Sequence, residues 1–443
     1  MASTQETKND KAWSKLFKKY NILQEINGKG TFIISSTQIN EFREARLMTK
    51  FDNTKTLPKL FKDNNLTILP ISANNYILGR FELYKEIPKI ETPIEFKQFP
   101  THIQSIDCNK INSETIALNC ASISKILEDF LEEDNTEIVS TVAGKMSSGT
   151  FKFNVDNIVD DNTHSIKVDR SGIEIDAGYE TSNSLVLIEA KNVIADDFLV
   201  RQLYYPFRLW REKVSKKVRN IFMQYTNGIF NLYEYEFKDY NNYNSLELVK
   251  SKRYSIINPN EMSITIDDIL NIHKNISYVG EPAIPFPQAN SFERIISLLE
   301  MLNTDNLKSK EEITDEFNFD PRQTDYYFNA GKYLGFLEED TISVEENDKI
   351  IEKIAIKLSS KGKKLFNISY KQRQLEFVKS ILEHKVFDET FGEFININGK
   401  LQKEKIIEYM KNNNLYNVKS DATYVRRAST ILGWINWIIK ICE

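Results

Sequence analysis

The stretch Gly172–Asn192, GIEIDAGYETSNSLVLIEAKN, decides how this chain is read. An apolar segment ends in an acid, Asp176, and a short polar loop follows. Leu185–Ile188 then forms a compact apolar run that delivers Glu189 and Lys191. Residues i and i+2 of a strand point to the same face, so Glu189 and Lys191 project together. If the two segments pair as a hairpin, Asp176 lies beside them. Two carboxylates and a lysine at the end of a buried sheet need partners, and a bound divalent cation offsets that requirement. The plain alternative is a solvated strand end with an incidental Glu–Lys pair.

Immediately downstream, Arg201–Asn220 carries seven basic residues (Arg201, Arg208, Arg211, Lys213, Lys216, Lys217 and Arg219) against one acid, Glu212. Such a run is either a solvated helix face or a surface for a polyanion, and Arg201 and Arg208 are candidate DNA contacts. Upstream, Gly144–Gly149 departs from the G-x4-G-K-[ST] phosphate loop because the lysine follows the first glycine. It reads as a turn whose Lys145 and Ser147 can approach DNA phosphates. His102, His164, His273 and His384 show no metal-ligand spacing, and no nucleotide-driven motif occurs.

The periodicity extends this picture in both directions. Ser122–Phe130 reads as an amphipathic helix extending through Asp134, Thr150–Val155 as a strand, and Ala195–Val214 as a helix. Val218–Gln224 and Gly228–Phe237 read as strands joined at Asn227–Gly228, a hairpin signal. Residues 1–100 form a small mixed domain. It has helices at Lys11–Tyr20 and Gln38–Met48, and strands at Thr31–Ser35, Leu66–Ile71 and Asn75–Phe81. Prolines at 88, 93 and 100 mark residues 87–101 as a linker, and Pro282, Pro285 and Pro287 mark a second boundary.

The acid, loop and E-x-K strand resemble the PD-(D/E)xK nucleases, and helix, strand, strand, strand, helix, strand is the core order of that fold. The resemblance implies that Asp176 and Glu189 hold Mg²⁺, with Mn²⁺ able to substitute, and that the Ala190 carbonyl is a third ligand. It implies that Lys191 orients or deprotonates the attacking water, and that an acid of the preceding helix, Glu128 or Glu132, joins the site. Glu174 is a lesser candidate in the first strand. Gln202 matches the glutamine of a Q-x3-Y spacing found in several subfamilies, although Tyr205 falls one residue short of it. In the N-terminal part, RLMTKFD, LPKLF, LTILPI and YILGRFELY resemble a group of type II restriction endonucleases. Arg43, Arg46 and Lys50 are that domain's candidate DNA contacts.

Beyond residue 281, a helix at Ser291–Leu302, a short helix at Ser309–Phe317, a helix over Asp320–Gly335 and a hairpin at Phe336–Val344 resemble a winged helix-turn-helix. Arg373–Glu383, Lys403–Asn412 and Ser420–Gly433, with a strand at Trp434–Ile439, read as a second such unit. DPRQTDYYFNAGKYLGF and KSDATYVRRASTILGWI look like versions of one element. Their candidate DNA-reading residues are Arg322, Gln323 and Tyr326, and Arg426 and Arg427.

The expected fold class is therefore α/β (α+β). A restriction-endonuclease-like mixed sheet flanked by helices occupies 101–280, with the N-terminal mixed domain at 1–100 and winged helices at 281–370 and 371–443. A chain of 443 residues accommodates several domains. Its net charge of −5 neither indicates nor excludes nucleic acid. Three scattered cysteines, Cys108, Cys120 and Cys442, argue against a disulfide framework or zinc site and fit a reducing compartment. The start, MASTQETKND, lacks a signal peptide's apolar core. No apolar run reaches the roughly 18 residues of a membrane span. The expected function is a type II restriction endonuclease of the bacterial cytoplasm. It would act as a homodimer on double-stranded DNA, with no membrane partner and with a cognate DNA methyltransferase encoded nearby. The rivals are a DNA-binding regulator with a degenerate nuclease fold and a structure-specific repair nuclease.

Overall fold

The hairpin read at residues 172–192 forms, and it lies inside a seven-stranded mixed sheet. The computed structural model describes residues 7–133, 137–305, 307–316, 321–346 and 349–442. Across the sheet the strands run Ile94–Phe96, Leu246–Ser255, Ile229–Phe237, Lys217–Thr226, Ser184–Lys191, Gly172–Glu180 and Val139–Ser147. Ser184–Lys191 runs antiparallel to Gly172–Glu180 and parallel to Lys217–Thr226. The crossover between the two parallel strands carries the helix Arg201–Lys213. Parallel neighbours require such a connection.

Layers cover both faces of the sheet, which is why the strand Ser184–Lys191 is nearly all apolar. Leu185 and Leu187 pack under Leu203, Phe207 and Leu209 of the crossover helix. Val186, Ile188 and Ala190 pack against Ala117, Leu118, Ala121, Leu127 and Phe130 on the other side. Those five residues belong to two helices, Glu114–Ile123 and Ile126–Leu131, separated at Lys125, whose φ is 60°. The single helix expected at Ser122–Phe130 is thus two, and its proposed end at Asp134 lies outside the described residues.

Other boundaries also moved. Ile94–Phe96, expected in a linker, pairs with Arg253–Ser255 at the sheet edge. The helix expected from Ala195 begins at Arg201, because Asp197–Leu199 pairs instead with Tyr84–Glu86. The strand Val139–Ser147 runs through most of the expected turn at Gly144–Gly149 and is followed at once by Thr150–Asp156. That strand pairs with Thr163–Asp169 in a separate two-stranded sheet. The Asn227–Gly228 turn forms as expected, with φ of 49° and 76°, the left-handed pair that a two-residue hairpin turn demands.

Before the sheet, two helices, Lys8–Tyr20 and Ile22–Lys29, and a three-stranded sheet enclose a core around Trp13, Leu16, Met48 and Phe61. The helix expected at Gln38–Met48 is interrupted. Asn40 Oδ1 accepts the Ala45 N–H at 2.7 Å, which restarts the chain as Ala45–Thr49.

After the sheet come a helix, Phe292–Asp305, a short strand, Lys308–Ser309, and two helices, Lys310–Glu316 and Pro321–Tyr333. A hairpin of Leu337–Glu346 and Lys349–Leu358 follows. Phe317 and Asp320, used in the sequence reading, lie outside the described residues. The second expected winged unit does not form. Tyr370–Leu382, Lys385–Asn396, Lys403–Asn412 and Asp421–Lys440 are helices, and no strand follows Leu358 among the described residues. Trp434–Ile439, expected as a strand, continues the last helix, with Ile431, Trp434, Ile435 and Ile438 buried at helical spacing. The expected helix ended at Gly433, which lies inside the helix Asp421–Lys440. Gly433 admits a close neighbour, since a Cβ there would meet the Asn290 carbonyl oxygen at 2.4 Å. One hydrophobic core, from Ile264 to Ile438, runs through this whole region. Among the described residues no helix is long and apolar enough to cross a membrane.

Candidate active site

Asp176 and Glu189 meet at the open end of the hairpin. Pairing between the two strands runs from Leu185↔Glu180 to Ile188↔Ala177, so the next residues across are Glu189 and Asp176. Asp176 Oδ2 accepts the backbone N–H of Ala190 at 2.8 Å. Ile173 and Ile175 belong to the core on the crossover-helix side of the sheet, whereas Ala177 and Tyr179 belong to the opposite core. The alternation therefore reverses across Asp176. On the other flank the register slips between Val142↔Gly178 and Gly144↔Ile175. This is the signature of a bulge, a device that re-aims a side chain beside an active site. Glu174, expected to share the Asp176 face, is exposed and pairs opposite Lys145 instead.

Glu189 is buried on the face covered by the crossover helix. Its Oε1 accepts from Lys191 Nζ at 2.5 Å and from Gln202 Nε2. The crossover helix thus supplies Gln202, as expected, and the other amide atom of Gln202, Oε1, is buried without a hydrogen-bond partner. Burial raises the Glu189 carboxyl above the usual carboxylate range even with Lys191 alongside, and Asp176 adds to the rise. For Lys191, burial alone would favour the neutral amine. Glu189, Glu114, Asp52 and Asp176 outweigh it and hold the ammonium firmly protonated.

Two of those acids are absent from the sequence reading. Glu114 begins the helix Glu114–Ile123, capped by Ser113. Burial raises its carboxyl, Asp176 and Asp52 push the same way, and Lys191 and Lys50 oppose. Glu114, rather than Glu128 or Glu132, is the helix acid that acts on Lys191. Glu128 lies one helix further on, against Tyr179, and Glu132 pairs with Lys250 at 3.1 Å. Nothing local marks Glu114, because only the docking of its helix on the sheet brings it near Lys191. Asp52 comes from the N-terminal unit. Its carbonyl accepts the Leu199 N–H at 2.9 Å, and the preceding carbonyl, of Phe51, accepts the Tyr84 hydroxyl at 2.9 Å. Lys50 Nζ stands 3.8 Å from the Asp52 carboxylate and is exposed.

Among the described residues no group of three His, Cys, Asp or Glu side chains is placed to hold a metal ion by itself. The donors at the hairpin end nonetheless fit Mg²⁺. That ion prefers hard oxygen ligands, keeps several waters and is commonly held by one or two carboxylates plus substrate oxygens. The Ala190 N–H faces Asp176, and a strand residue directs its N–H and C=O toward the same neighbour, so the Ala190 carbonyl points to the same side.

The candidate DNA contacts separate into three groups. Arg208 is corrected: it is buried, its guanidinium donating to the Lys152 and Tyr240 carbonyls at 3.0 Å and to the Tyr204 hydroxyl at 2.9 Å. Arg201 lies over the Tyr205 ring at 5.5 Å, and the Tyr205 hydroxyl donates to the Pro70 carbonyl. Lys145 and Ser147 are exposed on the edge strand, and Arg46 and Lys50 are exposed on the N-terminal unit, where Arg43 donates to Asn9 at 2.8 Å. Arg322 and Arg426 are exposed, and Gln323, Tyr326 and Arg427 are half-buried. Burial lowers the Arg427 guanidinium, with Arg426 and Tyr326 as its charged and polar neighbours.

Three family models match the chain in succession. Each is described as a domain of unknown function: DUF6996 over residues 10–78, DUF6997 over 79–255 and DUF7226 over 294–443. The middle match spans the main sheet and both acid-bearing strands, and the last spans the C-terminal helical region. No curated protein and no solved structure matches the chain.

Proposed function

We propose that this protein is a Mg²⁺-dependent endonuclease of the PD-(D/E)xK type that cuts double-stranded DNA at specific sites, as restriction endonucleases do. The carrying observation is the placement of Asp176 beside Glu189 and Lys191 at a bulged hairpin end. The surrounding order supports it: two helices, then antiparallel strands, then a crossover helix leading to a parallel strand.

Asp176, Glu189 and the Ala190 carbonyl would hold the ion, which when bound supplies charge stabilisation at the scissile phosphate and an acidified water. The chain's own groups have distinct tasks. Lys191, hydrogen-bonded to Glu189, would orient or deprotonate the attacking water and stabilise developing negative charge. Gln202 holds the Glu189 carboxylate in place through its amide N–H. Asp176, tied to the Ala190 N–H, keeps the two strand ends together.

In the C-terminal region, helix, strand, two helices and a hairpin support a winged-helix reading of residues 292–358. The helix Pro321–Tyr333 would then be the recognition element, because the second helix of such a pair enters the major groove. Two-strand cleavage calls for a homodimer with two sites, and a restriction role calls for a cognate methyltransferase.

The test is incubation of the purified protein with unmodified and methylated plasmid plus Mg²⁺, with the cut ends mapped. Discrete ends on unmodified DNA support the proposal. Sequence-specific binding with no cutting would move the protein to the class of DNA-binding regulators. Cutting governed by DNA structure, with no sequence preference, would make it a repair nuclease.

A further inference from the structure

We infer that Asp196 is a positioning residue, which ties the placement of Lys191 to the docking of both flanking units. This rests on the nuclease reading of the site.

Lys191 is the last residue of its strand, beyond the final antiparallel pair Ile188↔Ala177. On its other side Lys191 still pairs with Gln224 of the parallel strand, so the segment that follows sets only its open flank, and that segment is held by residues from all three regions of the chain. Val193 packs on the C-terminal core. The Ala195 carbonyl accepts from Gln224 Nε2 at 3.4 Å, and the Asp196 carbonyl accepts the Ile87 N–H at 2.8 Å. The Asp196 side chain then joins the two flanking units. Oδ1 accepts from Arg294 at 2.6 Å, on the helix Phe292–Asp305, and Oδ2 accepts from Lys55 Nζ in the N-terminal turn Thr54–Thr56. Asp197 adds a bond from the Thr54 N–H at 3.0 Å.

Both cations reach functional elements. Lys55 lies on the turn that follows Asp52, one of the acids acting on Lys191. Arg294 is hydrogen-bonded to Tyr327, on the helix that carries Arg322, Gln323 and Tyr326. The Asp196 side chain is 61% exposed. The pair with Lys55 contributes little to stability and the pair with buried Arg294 contributes more, but stability alone does not account for two cations from two units on one carboxylate. Positional control does, because a displacement of about 1 Å at a catalytic group is enough to lower a rate on the order of a hundredfold.

The test compares wild type with Asp196→Ala, Asp196→Asn and Lys55→Met in the full-length chain. It measures kcat and KM on a cognate duplex with Mg²⁺, duplex affinity in Ca²⁺, melting temperature, and hydrogen exchange over residues 185–200. Asp196→Ala is expected to lower kcat by about tenfold to a hundredfold, with KM and duplex affinity nearly unchanged at a temperature well below the melting transition, which unpairing buried Arg294 lowers. Exchange should quicken just after Lys191, and Lys55→Met should fall between Asp196→Ala and wild type. Unchanged kcat and exchange would overturn the inference. So would faster cleavage with tighter DNA binding, since Asp196 would then be a carboxylate that competes with DNA phosphates for its cations. If wild type itself does not cut DNA, the nuclease reading fails, and the exchange measurement still decides whether Asp196 holds the segment after Lys191.

Discussion

Asp176 Oδ2 accepts the backbone N–H of Ala190 at 2.8 Å, so the acid on one strand is bonded to the main chain between Glu189 and Lys191 on the next. One hydrogen bond joins all the parts of the E-x-K element to the upstream acid. Its consequences are chemical as well as geometric: two carboxylates and an ammonium are held at one sheet end, where Lys191 and Asp176 act on Glu189 and both carboxylates act on Lys191.

Removal of any of the three groups should abolish cleavage. Asp176→Ala, Glu189→Ala and Lys191→Ala are each expected to reduce kcat by at least about a hundredfold, the usual loss when one transition-state donor is removed. Duplex affinity in Ca²⁺ should remain, because phosphate and base contacts lie elsewhere. Gel-shift and single-turnover cleavage assays make the comparison, and a wild-type rate in any of the three ends the assignment.

Activity should require Mg²⁺ or Mn²⁺. Calcium has looser coordination geometry and should support binding without cutting. Titration of a chelator into a cleavage assay is the measurement, and robust cutting in excess chelator would remove the ion from the mechanism.

Glu114 and Glu128 offer a contrast within one pair of helices. Glu114→Gln should weaken Mg²⁺ binding, raising the ion concentration needed for half-maximal rate, because it removes a charge that acts on both Lys191 and Asp176. Glu128→Gln should leave that concentration unchanged. Equal effects would show that the missing acid is not Glu114.

Base reading should reside in the C-terminal region. Replacing Arg322 and Gln323, or Arg426 and Arg427, with alanine should reduce affinity for cognate duplex by about 1–3 kcal/mol per base-contacting residue. An equal, salt-sensitive loss on random duplex would mean phosphate contact only. No loss on either duplex would shift the reader to Arg43, Arg46 and Lys50.

Stability should respond to a buried histidine. His384 stacks on Tyr333 at 4.1 Å, and burial lowers its pKa to about 4. In the unfolded chain it titrates near the ordinary value of about 6.5. Between those values the unfolded state binds more protons, so stability falls as pH drops from about 6.5 to about 4 and then levels. The contribution is at most about 3 kcal/mol. Calorimetry of wild type and His384→Gln at neutral and mildly acidic pH should show a shallower slope in the variant.

Much of the fold was legible because its signals are local. The apolar run Leu185–Ile188, the polar loop before it and the Asn227–Gly228 turn produce their strands and hairpins from neighbouring residues alone. The misread elements are those decided by a distant partner. Asp197–Leu199 is a strand because Tyr84–Glu86 lies alongside, and Trp434–Ile439 stays helical because a continuous core and the close approach at Gly433 favour one long helix.

The same division holds at the site. Sequence by itself determined which side chains can do chemistry here, since strand periodicity commits Glu189 and Lys191 to one face whatever the surroundings. Tertiary structure alone decided the rest. The bulge that turns Asp176, the docked helix that delivers Glu114, the N-terminal segment that contributes Asp52 and the burial that removes Arg208 from the surface all depend on contacts between residues far apart in the chain. Burial and long-range electrostatics belong to the assembled layers, and no stretch of sequence carries them before those layers meet.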